Sequence, residues 1–261
     1  MTDTAIRIAT DARGIATLTL SQPERHNALS PKMIGELTVA ADVLGRDETV
    51  RAVVLTGAGA SFCAGGDLQW MREQMAASRA QRMSEARKLA VMLNALNELP
   101  KPLIGRVNGN AFGGGIGMMS VCDVVVAADT AKFGLTEVRL GLIPATISPY
   151  VLARMGEGKA RRVFFSARLF DAAEARDLDL VARVVAPDML DAAVEHEIRP
   201  YLSAAPRAVA ASKALARALG PRIDAAVIDD TIRRLADTWE DPESMEGVTA
   251  FFDKRKARWM P

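Results

Sequence analysis

Cysteine is scarce in this chain of 261 residues: only Cys63 and Cys122 occur, far apart and without a C-x-x-C pair, so no disulfide framework can form. Histidine is as rare, with His26 and His196 alone, and together these four residues make no ligand set with zinc-site spacing. No metal is expected. No run approaches the ~20 apolar residues of a membrane span, and the N-terminus, MTDTAIRIAT, carries Asp3 and lacks the apolar stretch of a secretory leader. The expectation is a cytoplasmic protein away from membranes. Charge of one sign is lacking too: 33 Lys and Arg face 32 Asp and Glu, a net charge of +1. No global field therefore recruits nucleic acid, and any anionic ligand has to be met by local groups.

What the chain does have is apolar mass. Hydrophobic residues make up 49%, enough for one large domain, or for one core with a smaller appendage. Both cysteines read as small buried hydrophobes, although Cys63 adjoins a glycine-rich loop. Two alternating runs, Ile6 to Ala9 and Ile15 to Leu20, flank Asp11-Ala-Arg-Gly14 and predict a β-hairpin. Ser30-Pro31 then predicts the start of a helix running to about Leu44, with Ser as N-cap and Pro at the first helical position. Buried strands are expected at Val50 to Thr56, Pro102 to Val107 and Asp123 to Ala127, with a helical region from Asp67 to Leu99. Another strand is expected near Leu180 to Val185. Strand, glycine loop and helix in succession predict an α/β fold. From Pro187 to Ala257 the pattern is helical, broken near Ala205-Pro206 and Gly220-Pro221, and predicts a separate helical lobe. The expected division is a core over 1–195 and a helical region over 196–261.

Two glycine loops stand out, Gly57 to Gly66 and Asn108 to Gly117. Each follows a buried strand and opens a helix, so their free N–H groups could converge on one ligand oxygen, the geometry of an oxyanion hole. An isolated glycine triplet more often serves close helix packing. Two such loops in one chain favour the ligand-facing reading. Other chemistries fit less well: neither loop places Lys-Ser/Thr at its helix start as a phosphate loop does. Met118 stands where the third glycine of a dinucleotide fingerprint belongs. No G-x-S-x-G elbow occurs, and His26 and His196 have no evident nucleophile nearby.

At these loops the chain resembles the enoyl-CoA hydratase/isomerase (crotonase) family over essentially its full length. The matching segments are Pro23-Glu-Arg-His-Asn-Ala-Leu29, Ser61-Phe-Cys-Ala-Gly-Gly-Asp-Leu68, Asn108-Gly-Asn-Ala-Phe-Gly-Gly-Gly115, Phe133-Gly-Leu-Thr-Glu137 and Ala250-Phe-Phe-Asp-Lys-Arg255. The stretch Phe133 to Tyr150 resembles bacterial methylglutaconyl-CoA hydratases in particular. The resemblance implies a spiral of ββα units, a helical C-terminal region that trimerises, and a homotrimer or homohexamer. It implies an acyl-CoA thioester as the partner, with no cofactor beyond the coenzyme A of the substrate itself. Gly66 and Gly114 would supply the oxyanion amides, and Glu137 would be the acid/base.

Hydratases of the family usually carry a second glutamate, and here Gly117 occupies its position. A lone base suits isomerisation of a 3-enoyl thioester as well as hydration of a 2-enoyl one, and a non-catalytic acyl-CoA binder is a further alternative. The reading favoured is hydration of a branched or carboxylated 2-enoyl-CoA. Under it the vacant role falls to a water chain, to the hydroxyl of Ser148 or Tyr150, or to a substrate carboxylate. That carboxylate would enter the space left by Gly117 and be met by Arg72 or Arg139. The acyl pocket is expected to involve Asp67, Leu68, Trp70, Met71, Met75 and Leu142, with Ile147 opposite. Coenzyme A contacts are expected from Arg25, Ala28, Phe251 and Lys254.

Overall fold

Ile6–Thr10 (β1) and Ile15–Leu20 (β2) pair antiparallel as the expected hairpin. Its turn needs glycine: Gly14 has φ +82°, and a Cβ there would lie 2.2 Å from the Thr49 carbonyl oxygen. A computed structural model describes residues 4–261; Asp3, whose charge argues against a leader, lies outside the described residues. Four strands continue the sheet from β2 in parallel: Ala52–Gly57 (β3), Leu103–Val107 (β5), Val124–Ala128 (β7) and Arg183–Val185 (β10). A second sheet joins Ser61–Cys63 (β4), Asn110–Phe112 (β6), Lys132–Gly134 (β8) and Leu169–Asp171 (β9) in that order.

The repeat is visible in this order of elements. Strands β3, β5 and β7 each turn within a few residues into β4, β6 and β8, and each pair leads into helix. The helices are Pro31–Arg46 (α1), Leu68–Ala76 (α2), Arg79–Asn97 (α3), Gly114–Val121 (α4), Ser148–Phe164 (α5), Ala172–Asp177 (α6), Leu190–Ser203 (α7), Pro206–Leu219 (α8), Ala225–Glu240 (α9) and Pro242–Phe252 (α10). Successive ββα units winding into a spiral are the α/β architecture expected. Among the described residues, no helix is long and apolar enough to cross a membrane.

Local chemistry sets the helix starts. Ser30 accepts a hydrogen bond from the Met33 amide at 3.2 Å and caps α1, whose Met33, Ile34, Leu37, Ala40, Ala41 and Leu44 form one buried face. The single helical stretch expected from Asp67 to Leu99 is two helices. Ser78 and Gln81 form a reciprocal capping box that starts α3 afresh. Strand β9, three residues long, has no strand pattern in the sequence.

The sheet is covered on both faces, which explains the apolar runs of β3 and β7. Val53 and Leu55 point into the main core beneath α1 and α3, whereas Ile15, Ala52, Val54, Ile104 and Val126 pack against Leu190, Val194 and Ile198 of α7. The tail after Pro187 is therefore not a lobe apart, because its first helix closes the outer face of the sheet. A division at 195/196 falls inside that helix. Helix α8 differs, since none of its residues is buried. It stands over a cavity of about 730 Å³ lined in part by Asn97 and Tyr150. Lys213 anchors it there, donating to Asp123 Oδ2 at 2.8 Å and to the Lys101 carbonyl at 3.0 Å.

Candidate active site

Three segments meet at one small cavity, and the first of them is held in an unusual backbone. His26 and Asn27 both adopt positive φ, 51° and 55°. Asn27, fully buried, offsets this by donating through Nδ2 to the carbonyls of Ala58 and Ser61 at 2.9 and 2.8 Å. His26 Nδ1 lies 3.0 Å from Ser61 Oγ. A hydroxyl thus does stand beside His26, contrary to the sequence reading, but the contact ties loop to strand outside the cavity. The loop ends at Leu29, which bridges to Gly66: the Leu29 amide donates to Gly65 O at 2.7 Å, and the Asp67 amide donates to Leu29 O at 3.2 Å. In such a parallel bridge the middle residue turns its own N–H the other way. The Gly66 amide therefore faces away from Leu29.

Asp67 sets the start of α2. Its Oδ1 accepts from the amides of Gln69 and Trp70 at 2.9 and 3.0 Å, capping the helix, and its Oδ2 lies 3.4 Å from Arg25 Nη1. The second glycine loop turns at Gly113, φ +47°, into α4. Gly114 is the first residue of that helix, so its N–H has no partner within it. Among the described residues, neither the Gly66 nor the Gly114 amide meets an acceptor. Both residues line the same cavity of about 120 Å³, and so does Glu137.

Glu137 opens a 3₁₀ turn, Glu137–Leu140, directly after β8 and the Leu135-Thr136 link. Its carboxylate lies over the start of α4: a Cβ on Gly113 would come 2.8 Å from Glu137 Oε1. Oε2 is buried with no hydrogen-bond partner. Burial pushes the carboxyl up from 4.5 to about 7, since an apolar setting penalises the charged form. Helix α10 braces this turn at backbone contact. A Cβ on Gly247 would lie 2.5 Å from the Leu140 carbonyl carbon, and one on Gly141, φ +68°, would lie 2.5 Å from that of Glu243.

Of the residues expected in the acyl pocket, Trp70, Met71, Leu142 and Ile147 line the cavity. Met75 does not line it and packs instead beside Leu142, Trp239 and Val248. Leu68 is exposed at the start of α2, and Asp67 is occupied in capping. Leu29, Leu140, Leu235 and Trp239 also form walls. The last two come from α9 and carry no sequence signal beyond helical periodicity. Arg25 is half exposed and Ala28 is buried on the first loop. Phe251 and Lys254, exposed at the end of α10, do not reach the cavity.

The space expected at Gly117 is not open. A Cβ there would lie 2.5 Å from Ile147 Cγ2 and 3.0 Å from Ile147 Cβ. Ile147 fills the volume, so no substrate carboxylate enters beside Gly117. The other side chains named from the sequence are engaged or lie elsewhere. Ser148 Oγ donates to the Ala145 carbonyl at 2.6 Å, Tyr150 lines the cavity under α8 and not this one, Arg72 lies 4.4 Å over the Phe252 ring, and Arg139 is exposed. Cys63 and Cys122 are fully buried, and burial holds both thiols up at about 12. Neither is a nucleophile.

Two unpaired amides beside one buried carboxylate can stabilise a carbonyl-derived anion and move one proton, which defines the class of acid/base enzymes with an oxyanion hole. The family model for enoyl-CoA hydratase/isomerase matches residues 10–261. A short-chain-enoyl-CoA hydratase of Clostridium acetobutylicum is 34% identical over 249 residues, 93% of this chain and 92% of that protein. Among solved structures, an enoyl-CoA hydratase from Shewanella pealeana shares 37% identity with a TM-score of 0.80, covering 98% and 96% of the two chains. One from Mycobacterium avium shares 30% with a TM-score of 0.86, covering 99% and 100%. This chain belongs to the enoyl-CoA hydratase/isomerase family.

Proposed function

We propose that the protein adds water across the 2,3 double bond of an enoyl-CoA thioester with a short apolar or methyl-branched acyl group. The observation that carries this is the buried, unpartnered carboxylate of Glu137 in one cavity with the free amides of Gly66 and Gly114. The two amides donate hydrogen bonds to the thioester oxygen. Ionised Glu137 takes a proton from water as its oxygen attacks C3, and the electrons of the double bond move to an enolate held by the two amides. The protonated Glu137 then returns its proton to C2. Every step uses protein groups alone, without a dissociable cofactor.

The carboxylated acyl group entertained from sequence gains no support, because no Lys or Arg lines the cavity. A substrate carboxylate would stand beside Glu137 uncompensated. Arg25, Ala28, Phe251 and Lys254 remain the proposed coenzyme A contacts, the last two from a neighbouring subunit of a trimer or hexamer. The exposed Leu215 and Leu219 of α8 support association, and light scattering showing a monomer at micromolar concentration overturns it.

Isomerisation is a second reading, favoured by the filled position at Gly117: Glu137 would carry a proton from C2 to C4 with no second carboxylate. Incubation with crotonyl-CoA, 3-methylcrotonyl-CoA and a 3-enoyl-CoA, followed by mass, separates the two. A gain of one water supports hydration, and a shifted double bond at constant mass supports isomerisation. No turnover of any thioester overturns both.

A further inference from the structure

The structure assigns the indole N–H of Trp70 as the donor that holds the oxygen added at C3, first as water and then as the hydroxyl of the product. This assignment rests on the hydration reading. Six buried side-chain polar atoms have no partner among the described residues, and only two of them belong to residues lining the acyl cavity: Glu137 Oε2 and Trp70 Nε1. A buried indole N–H normally finds an acceptor. Nε1 can only donate, and an ionised carboxylate can only accept. Water satisfies both at once, donating to Glu137 and accepting from Trp70, while its second lone pair stays free for C3.

The indole is well fixed for such a task. The Trp70 amide is tied to the Asp67 cap at 3.0 Å. The benzenoid edge lies along Gly66, where a Cβ would be 3.6 Å from Cζ3 and 3.8 Å from Cε3. Nε1 stands across the ring from those atoms. Ser148, Tyr150, Arg72 and Arg139 are engaged or positioned elsewhere, and Ile147 closes the space at Gly117. Trp70 thus takes over part of the water-holding role for which the family usually has a second glutamate.

The test measures binding of two ligands that differ by one hydroxyl. In a Glu137→Gln background, which prevents turnover, titration calorimetry compares 3-hydroxybutyryl-CoA with butyryl-CoA before and after Trp70→Phe. The expected result is a loss for the hydroxylated ligand at least about fivefold greater than any loss for butyryl-CoA, the worth of one hydrogen bond. Equal losses on both ligands, or none on either, overturn the assignment. If Trp70→Phe fails to fold, β-(3-benzothienyl)alanine at position 70 keeps the shape without the N–H and must give the same selective loss. Failure of the hydration reading shows separately: the unsubstituted enzyme would then add no water to any enoyl thioester, whatever the binding ratio.

Discussion

Glutamine at position 137 removes a charge that the cavity disfavours, and the pH dependence of stability measures how strongly. Burial lifts the Glu137 carboxyl from 4.5 to about 7. A carboxyl whose folded pKa lies above its unfolded value binds its proton more tightly in the folded state. Its stabilising contribution is complete below about pH 4.5 and is lost as pH rises through about 7. Multiplying that interval by about 1.36 kcal/mol per pH unit gives roughly 3 kcal/mol. Glu137→Gln has almost the same shape and no ionisation, so it should match the wild type near pH 4.5 and exceed it by roughly 3 kcal/mol near pH 8.5. Urea unfolding of both proteins across this range, at one protein concentration so that subunit association contributes equally, yields the difference curve. A curve flat with pH, or a glutamine variant less stable at pH 8.5, refutes the burial argument. The same substitution should remove at least about 99% of turnover, so stability and activity move in opposite directions.

The same geometry sets three further outcomes. The rate at low thioester concentration should rise with pH as Glu137 ionises, half-maximal near 7; a limb centred near 4.5 would count against the buried base. Gly113→Ala forces a side chain into φ +47° and sets Cβ 2.8 Å from Glu137 Oε1; it should cost about 1–3 kcal/mol in thermal unfolding and lower kcat at least about tenfold. Lys213→Met leaves the Asp123 carboxylate with the Leu103 amide and Arg217 and removes an anchor of α8, so amide exchange should rise first across 206–219 while hydration of crotonyl-CoA changes little.

Legibility in the sequence is local. The hairpin turn at Gly14, the cap at Ser30 and the two glycine loops are decided by neighbours within a few residues, and each stands where the spacing places it. The break between α2 and α3 is equally local, since Ser78 and Gln81 spell a capping box, but the long helical pattern around it obscures the signal. The remaining differences arise from contacts between distant segments. Leu235 and Trp239 reach the cavity from α9, and α7 covers the outer sheet face with residues that look like any amphipathic helix. The volume at Gly117 is decided by Ile147, far along the chain, and no pattern in either segment announces the other. The pairing of His26 with Ser61 is hidden from the sequence for the same reason.

That shared volume constrains how such a site can change over time. A glutamate gained at position 117 meets an isoleucine methyl 2.5 Å from its first side-chain carbon, so the step is penalised while Ile147 stands. Trimming Ile147 first leaves a void in a buried layer, a loss of about 2–5 kcal/mol for Ile to Ala. Each single step carries its own cost in this chain. In this chain a second carboxylate at position 117 therefore calls for the paired change or a prior reserve of stability.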